Sequence, residues 1–178
     1  SDWSSDVCSS DLKDQPVERE KIEQILLAGR SAPTGRNSQE LRFHVILNKE
    51  ILDKLVAETQ DAMRKSPENA AMASNPITFG APCAITMTCK QDMQRWAQFD
   101  CGFASENMLL AAEQLGLGAV PLGIMRRAPE PWLRGLGAEG EVLLLTVAFG
   151  YKADDYVPHA KAITSEVEIG RASCRERV

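Results

Sequence analysis

Positive charge is in short supply in this 178-residue chain: 20 Lys and Arg stand against 25 Asp and Glu, for a net charge of −5. A protein that grips nucleic acid through its phosphates needs the opposite balance, which sets that class aside. Long apolar runs are missing too, and nothing approaches the roughly 20 residues of a membrane helix. Histidine is reduced to His44 and His159, and no His, Cys and carboxylate cluster has ligand spacing, so no metal site is expected. There is no G-x-S-x-G elbow and no Walker A loop, and GLGAVPLG at 116–123 offers a G-x-G only outside a strand-to-helix context. Five cysteines occur without a C-x-x-C pair, which argues for reduced thiols in a cytoplasm and against a disulfide framework. Against these absences, 44% hydrophobic and 25% charged residues describe an ordinary globular protein.

The two ends read differently from the middle. Residues 1–12, SDWSSDVCSSDL, and 169–178, IGRASCRERV, have neither helical nor strand periodicity, and both read as translated sequencing-adapter DNA. A Ser-rich flexible tail is the plain alternative; a signal peptide is excluded by the lack of a basic start and an apolar stretch. The expected organisation is therefore one domain over 13–168, lacking natural sequence at both ends and retaining only Cys83, Cys89 and Cys101 as native thiols.

Within that segment, residues 17–30 (VEREKIEQILLAGR) form an amphipathic helix through Val17, Ile22, Ile25, Leu26 and Ala28. Pro33 and Gly35 break it in SAPTGRNSQ, and 41–48 (LRFHVILN) follows as a strand. A second helix is predicted over 49–64, an irregular stretch over 65–80, and a central strand over 81–89 (APCAITMTC). The longest helix is predicted over 91–117, with Phe99, Phe103, Met108, Leu109, Ala112 and Leu115 apolar. A short extended piece spans 119–125, a small helix 129–136, and a buried strand 141–151 (EVLLLTVAFGY). Helices interspersed with strands, without a regular βα repeat, indicate an α+β layered domain.

This inventory contains no self-sufficient catalytic constellation, so a catalyst built on it would borrow its chemistry from a cofactor. His44 lies in a strand pattern that suits packing. The three internal cysteines read as small hydrophobes. Asp100, Glu106 and Glu113 read as helix surface charges. Two loops invite a ligand. Thr34, Asn37, Ser38 and Gln39 can hydrogen-bond a polar heterocycle, with Gly35 allowing close backbone approach; a turn closing a helix is the alternative. LGLGAVPLGIM could turn backbone N–H groups toward a flat ligand, or be merely a tight connection. Arg126 and Arg127 could favour a phosphate, or be a solvated basic pair.

Four segments in order carry a resemblance: the helix with its A-P-T-G-R-N-S-Q loop and following strand, FGAPCAITM, DCGFASENMLLAAEQLGLGAVPLG, and VLLLTVAFGY. Together they resemble the nitroreductase family of FMN enzymes. The resemblance implies a three-layer α/β/α arrangement with a mostly antiparallel central sheet, an obligate-type homodimer, and FMN at the subunit interface. It places Pro33, Thr34, Gly35 and Asn37 on the flavin of the partner subunit, and Pro121, Leu122, Gly123 and Ile124 against the ring. Lys161 stands near the family's basic position for the FMN phosphate, and Asn75 is a further candidate. The implied reaction takes electrons from NADH or NADPH and delivers them, in ping-pong order, to a nitroaromatic, quinone or similar acceptor. It assigns no catalytic side chain and no metal, and brings in neither nucleic acid nor membrane. Other flavin chemistry on the same fold, and a non-enzymatic flavin-binding module, stay open. The family's phosphate-gripping N-terminal helix would precede residue 13, where adapter-like sequence stands instead.

Overall fold

Strand β2 (Cys83–Cys89) is buried at all seven positions, and a strand with no wet face needs a layer on each side. The computed structural model, which describes residues 12–157, supplies both. Four antiparallel strands run in the order β1 (Arg42–Ile46), β2, β4 (Val142–Gly150), β3 (Gly118–Leu122). Helices α1 (Arg19–Arg30) and α3 (Gln94–Gln114) cover one face, and α2 (Lys49–Lys65) and α4 (Pro129–Gly135) cover the other. The expected three-layer arrangement is present.

The period-2 alternation of strands distributes the core between the two layers. Cys83, Ile85, Met87 and Cys89 face α1 and α3, packing with Ile22, Ile25, Cys101, Ala104 and Met108. Ala84 faces the other way, with Leu52, Leu55, Trp132 and Leu133. Strand β4 interrupts its alternation with a bulge opposite Met87 and Thr88, so Leu144 and Leu145 both turn toward the α1/α3 side. On the α2/α4 side the indole N–H of Trp132 donates to Thr86 Oγ1 at 2.8 Å, and that oxygen lies 2.8 Å from Thr146 Oγ1. These buried polar atoms thereby satisfy one another.

Local signals place the elements close to where the sequence puts them. Asn48 caps α2, its side chain accepting the Ile51 N–H at 3.2 Å. Pro129 opens α4, where a missing N–H costs nothing. Two elements differ most. The long helix is shorter than 91–117, because residues 91–93 form a separate 3₁₀ turn and Gly116 takes φ +74° past its end. The extended piece ends at Leu122, the last residue of β3 opposite β4; at Gly123 the chain turns into a 3₁₀ helix, Ile124–Arg127. GLGAEG at 135–140 fits G-x-G-x-x-G but joins helix α4 to strand β4, the reverse of the dinucleotide-binding order. Leu12 bridges to Lys152 in antiparallel fashion and packs beside the α2/α4 core. Among the described residues no helix is long and apolar enough to cross a membrane.

Candidate functional site

The turn after β3 is held at the edge of the sheet, where Pro121 is tolerated because an edge strand can spare an N–H. Pro121, Leu122, Gly123 and Ile124 line a mostly apolar groove of about 290 Å³ together with Asn75, Pro76 and Phe79. All four ring-facing candidates, and Asn75, are thus brought to one surface. Phe79 lies on it with φ +52°, which a bulky side chain adopts only under constraint.

The helix-breaking loop forms a second surface. Thr34 and Gln39 line a hollow of about 150 Å³ with Gly29, Arg30, Leu41, Phe43, Asp100 and Ala104. Pro33, Gly35 and Asn37 are exposed on the same loop. Arg36, Asn37 and Gln39 take φ values of +57°, +56° and +51°. The Gln39 N–H donates to Thr34 Oγ1 at 3.2 Å, and the Gln39 side chain donates to Asn37 Oδ1 at 3.0 Å, closing the loop on itself. Among the described residues, only these three and Phe79 combine a side chain with positive φ. Such strain persists where the surroundings enforce it, and it concentrates at ligand sites.

Asp100 is tied to this loop, which corrects its reading as a helix surface charge. It is 3% exposed and shares the inward face of α3 with Ala97, Cys101 and Ala104. Its Oδ1 accepts the Gly35 N–H at 3.0 Å, while Oδ2 is buried without a hydrogen-bond partner. The signal was present in the spacing, since position 100 falls three after Ala97 and four before Ala104. A lone carboxylate in an apolar helix is easily assigned to water because charge dominates the prior.

The remaining candidates separate cleanly. His44 is a packed strand histidine: its ring nitrogen lies 2.9 Å from Thr88 Oγ1, and burial holds its pKa below the usual value against the opposing pull of Glu141. Burial pushes the Cys83 thiol up to about 12 and Cys101 to about 11, so neither is a thiolate nucleophile near neutrality. Phe99 and Phe103, read as apolar positions of the long helix, point outward instead at 64% and 53% exposure, beside Trp96 at 64%. Glu113 is half-exposed and bonds Lys152. Lys161 lies outside the described residues.

A model of the nitroreductase family matches residues 8–151, a span that includes both surfaces and begins before residue 13. A relative from Archaeoglobus fulgidus, provisionally named NADH dehydrogenase/NAD(P)H nitroreductase, is 33% identical over 147 residues, covering 80% of this chain and 78% of its own length. The Bacillus subtilis FMN reductase [NAD(P)H] is 28% identical over 163 residues, and this chain spans 60% of its length. Among solved structures, a nitroreductase with bound FMN from Bacteroides fragilis superposes with a TM-score of 0.80 at 26% identity, covering 90% of this chain and 94% of that one.

Proposed function

This chain belongs to the nitroreductase family, and on that premise we propose that it is an FMN-dependent oxidoreductase taking electrons from NADH or NADPH. The acceptor class is a nitroaromatic, a quinone or a similar small molecule, reduced at the same site after the nicotinamide has left. The observation that carries the reading is the confinement of the four strained non-glycine residues, among the described residues, to two surfaces, the apolar groove and the polar loop. Bound FMN supplies the two-electron chemistry for which this chain offers no side-chain constellation. Pro121, Leu122, Gly123 and Ile124 would hold the ring in a groove whose apolar wall suits a flat heterocycle and excludes water. Pro33, Thr34, Gly35 and Asn37 would close over it from a second copy of the chain, and Lys161 would meet the phosphate.

A second copy would bring onto one flavin the two surfaces that line different hollows of a single chain. Its docking face is the outward side of α3. Trp96, Phe99 and Phe103 are exposed there, and Gly102 lies between them with nothing within 4 Å of where a Cβ would stand. A mid-helix glycine costs about 0.5–1 kcal/mol relative to alanine, and here it leaves room for another helix to approach closely. Phe99→Glu combined with Phe103→Glu is expected to convert a dimer to a monomer in sedimentation velocity and to abolish flavin retention. A double variant that stays dimeric would place the interface elsewhere.

The function itself is tested by spectroscopy. Purified protein supplied with FMN is expected to turn yellow and to bleach anaerobically with NADH or NADPH. Its colour should return on adding a nitroaromatic or a quinone. Protein that remains colourless would defeat the reading, and a bound flavin that no nicotinamide bleaches would point to another flavin chemistry.

A further inference from the structure

Gly123 stands where two grooves meet. On one side is the apolar groove of residues 121–124. On the other is an open polar groove of about 460 Å³ lined by Glu68, Asn69, Gly123, Arg126 and Arg127. The backbone at Gly123 has φ −97° and ψ −7°, which any residue can adopt, and a Cβ there would meet nothing within 4 Å. Neither strain nor crowding within the chain calls for glycine. What its missing side chain leaves is an open saddle joining the two grooves.

The polar groove is rigidly built. Arg126 and Arg127 end the 3₁₀ helix that follows the saddle, closed by the Arg126 N–H donating to the Gly123 carbonyl at 3.1 Å. Asn69, almost fully buried, donates to the Arg127 carbonyl at 3.0 Å and so pins that helix to the loop after α2. Both guanidinium groups are exposed, and neither makes a hydrogen bond or ion pair among the described residues, not even with Glu68 across the groove. Two unspent guanidinium groups suit the bidentate recognition of phosphate. A carboxylate beside them would repel a bare anion but accepts hydrogen bonds from ribose hydroxyls, as acidic residues do in dinucleotide sites. The combination fits a phosphate joined to a sugar.

We propose that this groove binds the diphosphate and adjoining ribose of the nicotinamide dinucleotide, whose nicotinamide then reaches across Gly123 to the groove of residues 121–124. Arg126 and Arg127 take the phosphates and Glu68 a ribose hydroxyl. The site rests on the reading of the apolar groove as the flavin site. Its own test does not need flavin.

Binding of ADP-ribose to the protein is measured by titration calorimetry, for the native chain and for Arg126→Gln/Arg127→Gln. The native chain is expected to bind, with affinity falling as salt rises because the groove is open to solvent. The double variant should lose about tenfold or more, since two charge-assisted contacts are removed. In turnover, the variant's KM for NADPH and NADH should rise by a similar factor at unchanged kcat. Its KM for 1-benzyl-1,4-dihydronicotinamide, which has the ring but no phosphate, should stay the same. Native protein that does not bind ADP-ribose overturns the proposal, as does a variant that binds it equally well. A variant that loses FMN affinity while its ADP-ribose binding is unchanged would assign the arginines to the flavin phosphate instead. Failure of the flavin reading shows separately, as protein that binds ADP-ribose but never turns yellow.

Discussion

Asp100→Ala is expected to weaken FMN binding by about 10- to 100-fold while leaving the melting temperature unchanged or slightly raised. The two effects have separate causes. Removing the carboxylate frees the Gly35 N–H from its charged acceptor, a bond worth about 1.5–3 kcal/mol, and that range corresponds to roughly the stated loss of affinity. Without the anchor, Arg36, Asn37 and Gln39 can leave the left-handed region, where a non-glycine residue costs on the order of 1 kcal/mol, and flavin would have to restore the strained loop at its own expense. Stability changes little, because the loss of that bond is offset by relief of the strained residues and of Oδ2, a buried, unpartnered oxygen whose desolvation opposes folding. Asp100→Asn keeps an acceptor for Gly35 and removes the charge, so most of the affinity should return with it. Flavin fluorescence titration, calorimetric melting and hydrogen exchange at the Gly35 amide measure these effects. The amide should exchange faster in the alanine variant than in the asparagine variant, with or without flavin. Native flavin affinity in Asp100→Ala would sink the positioning role. Equal loss in both variants with a large drop in melting temperature would make Asp100 a structural residue only.

Trp132→Ala should be the most damaging single substitution in the core. Trp132 is fully buried between α4 and the sheet, and truncating such a side chain costs about 3–5 kcal/mol. Against a total stability of about 5–15 kcal/mol, that leaves the variant marginal at 37 °C, with a melting temperature lower by about 6–20 °C. Thr86→Val probes the polar part alone. It keeps shape and volume but strands the indole N–H and the Thr146 hydroxyl, each at about 1–3 kcal/mol. Adding Thr146→Val removes one of the two stranded groups, so the double variant should recover part of the loss. Urea denaturation gives all three numbers, and a Thr86→Val cost below about 0.5 kcal/mol would mean that the network contributes nothing beyond packing. The substitution also reaches the candidate site, because Val120 and Leu122 of β3 pack in the same core that holds α4.

Where periodicity had a single solution, the sequence located the element. Helices α1 and α2 each have one apolar face, and strands β2 and β4 are apolar nearly throughout, so their existence and approximate bounds follow from residue type and spacing. The loop between α1 and β1 is legible because Pro33 and Gly35 cannot continue a helix. The inertness of the internal thiols and the packing role of His44 follow the same way, from residues that lack the partners chemistry would need.

The sequence by itself therefore determined the element order, the layered α+β class, the two candidate loops and the family likeness. Tertiary structure decided the rest, for reasons specific to each place. Helix α3 is apolar on more than one side, so its pattern allows several inward faces. Packing against α1 and β2 turned Ala97, Cys101 and Ala104 in, drew Asp100 in with them, and left Trp96, Phe99 and Phe103 outside. The end of β3 is set by where its pairing with β4 stops, which no local preference at Ile124 or Met125 encodes. The saddle at Gly123 exists because the 3₁₀ helix after it and the loop carrying Asn69 come from distant parts of the chain. Local chemistry chose the pieces; which of their faces meet, and which stay exposed, is a property of the packed whole.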